Sequence, residues 1–397
     1  MIPRTLIVGG GMITHDQILP SLLQLQREGV VGDIAVCAQH GRTVRALAEA
    51  PQIRQAFPHG RWMAHPALDA NPDESHPGLY RELFAAMPPR NVVIVALPDQ
   101  LHFEAVMAAL RADQHVICVK PLVLTASEAE AIEDEARSRR LFVGIEYHKR
   151  FDDRSLMARQ RYRVGAFGEF RLGSAVLMEK WYYRHSGFRT WFTKDNTDAF
   201  TYIGCHYVDL VAFITGLEPV RVSVYGIADR LPGGAEGWLW TDARVIWNNG
   251  ACLNVQNSLS FPDAAPGSNT QGLTLYCAQG DRGGLLRHSD QYRGLEHIYV
   301  TEPSGPGATT YSQPSPDYFQ YVYRGGEGLT PVGYGYRSIE HLVRAVLRVE
   351  GAVDRAAELR RIDEEGILAT PANSRYNEKV IEAARQSIAS GGSEVAI

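Results

Sequence analysis

Thr5-Leu6-Ile7-Val8-Gly9-Gly10-Gly11-Met12-Ile13-Thr14 sets a short apolar strand directly against three glycines, and a helical pattern follows over residues 16–28. Glycine at such a junction lets the backbone turn tightly and approach a pyrophosphate. The phosphates then rest on the free N–H groups of the helix N-terminus. Gly9, Gly11, Met12 and Ile13 are therefore expected to cradle a dinucleotide, with Thr14 standing where a G-x-G-x-x-G fingerprint has its third glycine. A GxG alone also describes a plain strand-to-helix turn, so the neighbouring segments decide.

Those segments continue the alternation, with a strand pattern over 33–38 and a helical one over 43–50. This is the βαβ order of a parallel sheet. The end of the second strand normally carries an Asp or Glu that bonds the adenosine ribose 2'-OH. In Ala35-Val36-Cys37-Ala38-Gln39-His40-Gly41-Arg42 that acid is missing. Arg42 can accommodate a 2'-phosphate, and the uncharged Gln39 beside Ala38 can equally hold a plain ribose, so the expected cofactor is NAD or NADP. Further on, residues 92–97 form a continuous apolar strand followed by Pro98-Asp99-Gln100-Leu101-His102, a helix over 103–111, a strand over 115–119, and Lys120-Pro121-Leu122. Pro98 and Pro121 each end a strand at its carboxyl edge, where ligands bind in an open α/β sheet. Leu97, Pro98, His102, Lys120 and Pro121 thus join the cofactor-facing set. Lys120 is one of five lysines in a chain that otherwise uses arginine, which argues against a drifting surface position.

Composition narrows the partners. At 397 residues the chain exceeds what one core usually covers, and 45% hydrophobic with 21% charged residues is ordinary for a globular protein. Apolar runs such as 91–97 stop at strand length, short of the eighteen or so residues that span a bilayer. The first residues run straight into a strand, which leaves no room for a secretory leader, and the expected location is the cytoplasm. Cys37, Cys118, Cys205, Cys252 and Cys277 are odd in number and scattered, so neither a disulfide framework nor a metal site is expected. A net charge of -5 without a dense basic stripe argues against nucleic acid. Small molecules remain as partners.

The ordered set Gly9-Gly10-Gly11, Leu97-Pro98-Asp99-Gln100-Leu101-His102 and Val119-Lys120-Pro121 resembles the Gfo/Idh/MocA oxidoreductases, the group that contains glucose-fructose oxidoreductase and inositol dehydrogenases. In that family the pieces are a GxGxxG-like turn, a TPxxxH-like strand end and a Glu-Lys-Pro segment; Val119 takes the place of the glutamate. Order and spacing match over nearly the whole chain, including the tail segment 382–387. The resemblance implies an α/β protein with a Rossmann dinucleotide-binding domain over residues 1–145. An α+β domain over 146–397 then carries a large open, mostly antiparallel sheet for substrate binding and self-association. Val143-Gly144-Ile145-Glu146-Tyr147-His148-Lys149-Arg150-Phe151 has the form of the family's lead into that domain. Alternating segments 170–178, 220–227, 243–248, 252–260 and 273–277 read as its strands, and 336–349 as an amphipathic helix returning to the body. An apolar sheet face implies a homo-oligomer, a dimer or tetramer.

The same resemblance assigns chemistry. Residues 196–210 match the family's helix carrying three glycines, then Asp-x-x-x-His, then a further Asp. The catalytic histidine falls on His206, its aspartate partner on Tyr202, and the glycines on Asn196, Thr197 and Asp198. Four-residue spacing places 202 and 206 on one helical face, about one turn apart. Oxidation of an alcohol needs a base for the hydroxyl proton, which a histidine supplies near neutral pH, and a cation for the developing alkoxide, which Lys120 supplies. A second scheme makes Tyr202 the base, its phenol activated by Lys120. Substrate contacts are expected from Lys120, His148, Arg150, Trp181, Tyr183, Asp198, Tyr202 and His206. Trp181, Tyr183, Trp191 and Phe192 would form a sugar-stacking wall or an aromatic core, and Lys149 and Arg150 would serve the site or pair ions at the domain boundary. The implied function is hydride transfer between a nicotinamide and a sugar or polyol carbon. Two alternatives stand beside it: an NAD-dependent glycosidase or lyase working through transient oxidation, and a non-catalytic cofactor or sugar sensor, against which Lys120 and His206 together speak.

Overall fold

The computed structural model describes residues 2–265, 269–289, 317–397 and the backbone of 297–298 and 311–312. The chain forms two compact units. One comprises Met1–Val123, Ser127–Phe151 and Tyr318–Arg375, and the other Leu124–Ala126, Asp152–Asp317 and Tyr376–Ile397.

The first unit is built on six parallel strands: β1 (Thr5–Val8), β2 (Ile34–Cys37), β3 (Met63–His65), β4 (Val92–Val95), β5 (His115–Val119) and β6 (Val143–Glu146). Their order is β3-β2-β1-β4-β5-β6, the Rossmann arrangement. β1 and β4 are buried along their whole length, as expected of Val/Ile/Leu runs in a sheet covered on both faces. The strand order reverses between β1 and β4, and Gly9 stands at that switch point. Its φ is +111°, and a Cβ there would lie 2.0 Å from the carbonyl oxygen of Ala96. No other residue fits. Thr14 occupies the third fingerprint position by a different device: its hydroxyl donates to the Gly9 carbonyl at 2.6 Å and ties the turn to the start of the helix.

The chain does not divide at a single point near residue 145. The amphipathic helix expected at 336–349 runs over Tyr334–Gly351 and belongs to the first unit. Its Ile339, Leu342, Val343, Val346 and Val349 are buried in one cluster with Ile7, Ile34, Ile117 and Phe142. Each such side chain contributes roughly 1.5–3 kcal/mol on burial, so the apolar stripe, not sequence distance, decides where the segment packs. The far end of the helix is fixed by charge. Glu350 lies 2.7 Å from Arg90 and 2.9 Å from His115 Nε2. The backbone N–H of Phe142 donates to His115 Nδ1, so it is Nε2–H that donates to the carboxylate. Although burial opposes it, these partners hold the Glu350 carboxyl down at about 2.

The second unit carries β7 (Glu169–Lys180), β8 (Pro219–Arg230), β9 (Glu236–Trp247), β10 (Cys252–Phe261), β11 (Asn269–Gln279) and β12 (Arg282–His288). They lie in the order β12-β11-β7-β10-β9-β8, with the terminal Val395–Ala396 beside β8. All pairs are antiparallel except β7 with β10. β12 has no counterpart in the sequence reading, because its two glycines weaken the strand pattern. Gly284 is required there by the approach of Phe167, whose carbonyl oxygen would lie 2.1 Å from a Cβ. One sheet face packs against helices of the unit; Ser387 of the helix Tyr376–Ala389 accepts from the Val224 N–H at 2.8 Å. On the other, Leu172, Tyr276 and Leu285 form a cross-strand row, each about half exposed. Among the described residues, no helix is long and apolar enough to cross a membrane.

Gly9→Ala is expected to lower stability by about 2–3 kcal/mol, since both its φ and its contact with Ala96 exclude a side chain. A Cβ at Gly11 meets nothing within 4 Å, so Gly11→Ala should stay within about 0.5 kcal/mol of the wild type. Thermal unfolding followed by circular dichroism checks this. Equal midpoints for the two variants would remove Gly9 as the constraint on the switch point.

Candidate active site

In the first unit polar residues follow the carboxyl ends of the largely apolar central strands. The Gly9–Gly11 turn follows β1, Leu97 and Pro98 follow β4, and Lys120 and Pro121 follow β5. Lys120 is half-buried there. His102, expected to face the cofactor, does something else. It is fully buried, with Nδ1 2.8 Å from the Pro121 carbonyl oxygen and Nε2 2.8 Å from that of Leu97. The ring therefore braces two strand ends against each other.

Past β2, Ala38 is buried and Gln39 is exposed. The Gln39 amide donates to Ser75 Oγ at 2.9 Å, and the exposed Arg42 guanidinium lies 2.6 Å from Asp73. A loop over residues 69–78 thus supplies an acid to the region where the second strand lacks one. Nothing in the local pattern around Asp73 signals this, because its partner is 31 residues away in the chain.

After β6, His148 is half-buried, with Nδ1 3.2 Å from Glu146. Arg150 is 2% exposed, its guanidinium 5.9 Å from the Tyr147 ring. It is an interior residue of this unit.

In the second unit the segment carrying Tyr202 and His206 is not one regular helix. A wide, π-type turn at Phe200–Gly204 precedes the α-helix Cys205–Thr215. Such turns recur at functional sites. Close packing explains the glycine within it, since a Cβ at Gly204 would lie 2.5 Å from Asn257 Oδ1 on β10. His206 lies in the first turn of that α-helix and is 7% exposed. Asp209, the family's further Asp, accepts from Tyr376 at 3.0 Å and from Asn377 at 2.9 Å, and so anchors the C-terminal helix.

Asp198, expected to touch substrate, lies in the interior. It is 1% exposed, and its carboxylate accepts from the Thr201 N–H at 2.8 Å and the Thr201 hydroxyl at 2.7 Å. Burial raises its pKa, and these bonds pull the other way. The Asp-x-x-Thr spacing, which satisfies an orphan N–H at a helix start, was the available signal.

The aromatic residues differ in burial and in ring contacts. Tyr202 is partly buried, its ring edge-on to Phe188, Trp191 and Phe192 at 5.1, 5.6 and 5.8 Å. Tyr183 stacks on Phe188 at 5.4 Å, and burial pushes its phenol well above the usual range. Phe188 and Phe192 are core; Trp181 is 40% exposed and lies under the Arg184 guanidinium at 3.7 Å.

Comparison with known proteins agrees with this architecture. Residues 3–147 match the model of an oxidoreductase family with an NAD-binding Rossmann fold, and residues 155–281 match the GFO/IDH/MocA C-terminal domain. Levoglucosan dehydrogenase of Pseudarthrobacter phenanthrenivorans is 24% identical over 276 residues, covering 63% of this chain and 68% of that protein. An uncharacterized oxidoreductase of Schizosaccharomyces pombe is 37% identical over 78 residues. That match spans 20% of this chain and 21% of the yeast protein. A scyllo-inositol dehydrogenase from Lactobacillus casei, solved with bound NAD(H) and scyllo-inositol, superposes with a TM-score of 0.64. It covers 100% of this chain and 99% of its own at 13% identity, which is a likeness of fold. With both domain models matched in order, the chain belongs to the Gfo/Idh/MocA family of oxidoreductases.

Proposed function

We propose that this protein is an NAD(P)-dependent dehydrogenase of a sugar, a polyol or a sugar derivative. The observation that carries the reading is the family match to both domain models, and the chain has a lysine at 120 and a histidine at 206 that can serve as the cation and the base an alcohol oxidation needs. The turn after β1 and the ends of β4 and β5 fit a dinucleotide: Gly9 holds the tight turn, and Gly11 carries no side chain where the pyrophosphate would approach. The nicotinamide supplies the hydride acceptor when bound. Lys120 stabilises the negative charge developing on the substrate oxygen, and His206 takes its proton. Tyr202 replaces the family's aspartate with a phenol held edge-on among aromatic rings. Its role is to orient the histidine and present an amphipathic surface beside the sugar, with Trp181 and Tyr183 as further stacking faces. The same reading makes the protein a cytoplasmic homo-oligomer, supported by the apolar row Leu172, Tyr276 and Leu285. A screen of sugars, polyols and glycosides, with separate readouts for reduced cofactor and released aglycone, tests the reaction. Aglycone release without net NAD(P)H formation would replace dehydrogenase with the redox-assisted glycosidase.

On a verified substrate, Lys120→Ala and His206→Ala should each lower kcat by about 10² or more with little change in cofactor affinity. Tyr202→Phe decides between bases: a small loss leaves His206 in that role, and a loss equal to that of His206→Ala transfers it to the tyrosine. Near-normal turnover in both alanine variants places the chemistry elsewhere.

Cofactor preference provides a second check. Asp73 neutralises Arg42, so wild type should discriminate weakly between NAD and NADP. Asp73→Asn should raise relative affinity for the 2'-phosphorylated cofactor by a factor of about two to five, the modest scale of an exposed ion pair. Calorimetric titration of both cofactors reads this directly, and an unchanged ratio means that Arg42 does not face the 2' position.

A further inference from the structure

Three arginines line one pocket at the rim of the first sheet opposite the glycine turn. Parallel strands gather their amino ends on one side, so the residues that lead into β4, β5 and β6 meet there. Arg140 stands between the helix Ala126–Arg139 and β6, while Arg355 and Arg360 lie on the helix Arg355–Glu365. Together with the segment 352–354 they line a pocket of about 590 Å³. Small-molecule sites occupy about 300–1,000 Å³. The wall of this pocket is tied to the strand starts. Arg90, just before β4, donates to the Arg140 carbonyl at 2.9 Å and lies 2.7 Å from Glu350, which pairs in turn with Arg355 at 3.0 Å.

Local structure gives no reason for cations at these positions. Arg140 has a φ of +53°, the left-handed region that favours glycine or asparagine after a helix. Arg355 is the first residue of its helix, where the positive end of the macrodipole disfavours a cation. Among the described residues, neither the Arg140 nor the Arg360 guanidinium makes a hydrogen bond or an ion pair that would offset this. Asp354 lines the same pocket, and its carboxylate is engaged in capping the helix, accepting from the Ala357 N–H at 3.0 Å. Three guanidiniums thus surround one space against a single engaged carboxylate, in a chain whose net charge is -5.

A carboxylate has two oxygens and one charge, which one guanidinium fork satisfies. Several forks around one space match a tetrahedral group with three free oxygens and nearly two charges. We propose that Arg140, Arg355 and Arg360 bind a phosphate-bearing small molecule at the rim of the sheet opposite the dinucleotide turn. The phosphate lies among the guanidiniums, and the organic part lies against Ala352 and the fully exposed Val353. The site uses neither Lys120 nor His206, so this proposal stands or fails apart from the dehydrogenase reading.

The test uses full-length protein saturated with NAD(P)H, which fills the other phosphate-binding place in the unit. In calorimetric titrations, inorganic pyrophosphate should bind more tightly than orthophosphate, and citrate at matched ionic strength about tenfold more weakly than pyrophosphate. Arg140→Ala and Arg360→Ala should each weaken pyrophosphate binding by about three- to tenfold, and the double variant by more than about tenfold, while added potassium chloride weakens binding to the wild type. Because neither side chain holds the fold, melting midpoints without the anion should stay within about 2 °C of the wild type. NAD(P)H dissociation constants should stay within about twofold. Absence of pyrophosphate binding, or equal affinity in the double variant, overturns the proposal. Citrate binding as tightly as pyrophosphate makes the ligand a polycarboxylate and overturns the phosphate assignment. A marked fall of both melting midpoints assigns the arginines to stability and overturns it as well.

Discussion

The central strands β1 and β4 are buried along their whole length and carry no charge, and this constraint governs where chemistry can sit in the first unit. Val92, Val93, Ile94 and Val95 in β4, and Leu6, Ile7 and Val8 in β1, are almost wholly buried. Polar groups are therefore displaced past the strand ends, where Lys120 follows β5 and the Glu146–His148 pair ends and follows β6. That rim is held stiffly. His102 spans the carbonyls of Leu97 and Pro121, so the ends of β4 and β5 share one side chain. Catalytic geometry is sensitive to displacements of about 1 Å, and a histidine spent on bracing is consistent with that demand.

The parts of the fold that were legible in the sequence are those written as continuous apolar runs or as glycine at a junction. β1, β4 and β5 announce themselves by Val and Ile, and the Gly9 turn by its place between strand and helix. β12 was not legible, because Gly283 and Gly284 break the alternation for a reason that only the approach of Phe167 reveals. The membership of Tyr318–Arg375 in the first unit was hidden in the same way: an amphipathic stripe states that a helix is covered, not by what. In the candidate site, Lys120 was legible from its strand-end position. Asp73 was not, since its pairing with Arg42 exists only in three dimensions.

Three of the residues expected at the site share a pattern. Asp198 and Arg150 were expected at a ligand, and both are interior groups, as is His102. A polar residue at a family's site position is ambiguous from sequence, because the hydrogen bonds that would bind a substrate are the same ones that satisfy a turn or a buried backbone. Asp198 closes a helix start against Thr201, and Asp209 ties Tyr376 and Asn377 to the same helix region.

The return of the chain to the first unit at Tyr318 has a consequence for biosynthesis. A nascent chain emerging from the ribosome presents all six strands of that sheet well before the helix Tyr334–Gly351 that covers Ile7, Ile117 and Phe142 has been made. Until then the apolar surface awaiting Leu342 and Val346 stays open to solvent and to chaperones, and completion of the nucleotide-binding unit is a late, essentially post-translational event. A message truncated anywhere before that helix therefore yields a polypeptide with an uncovered hydrophobic face, one that cellular quality control can distinguish from the finished enzyme.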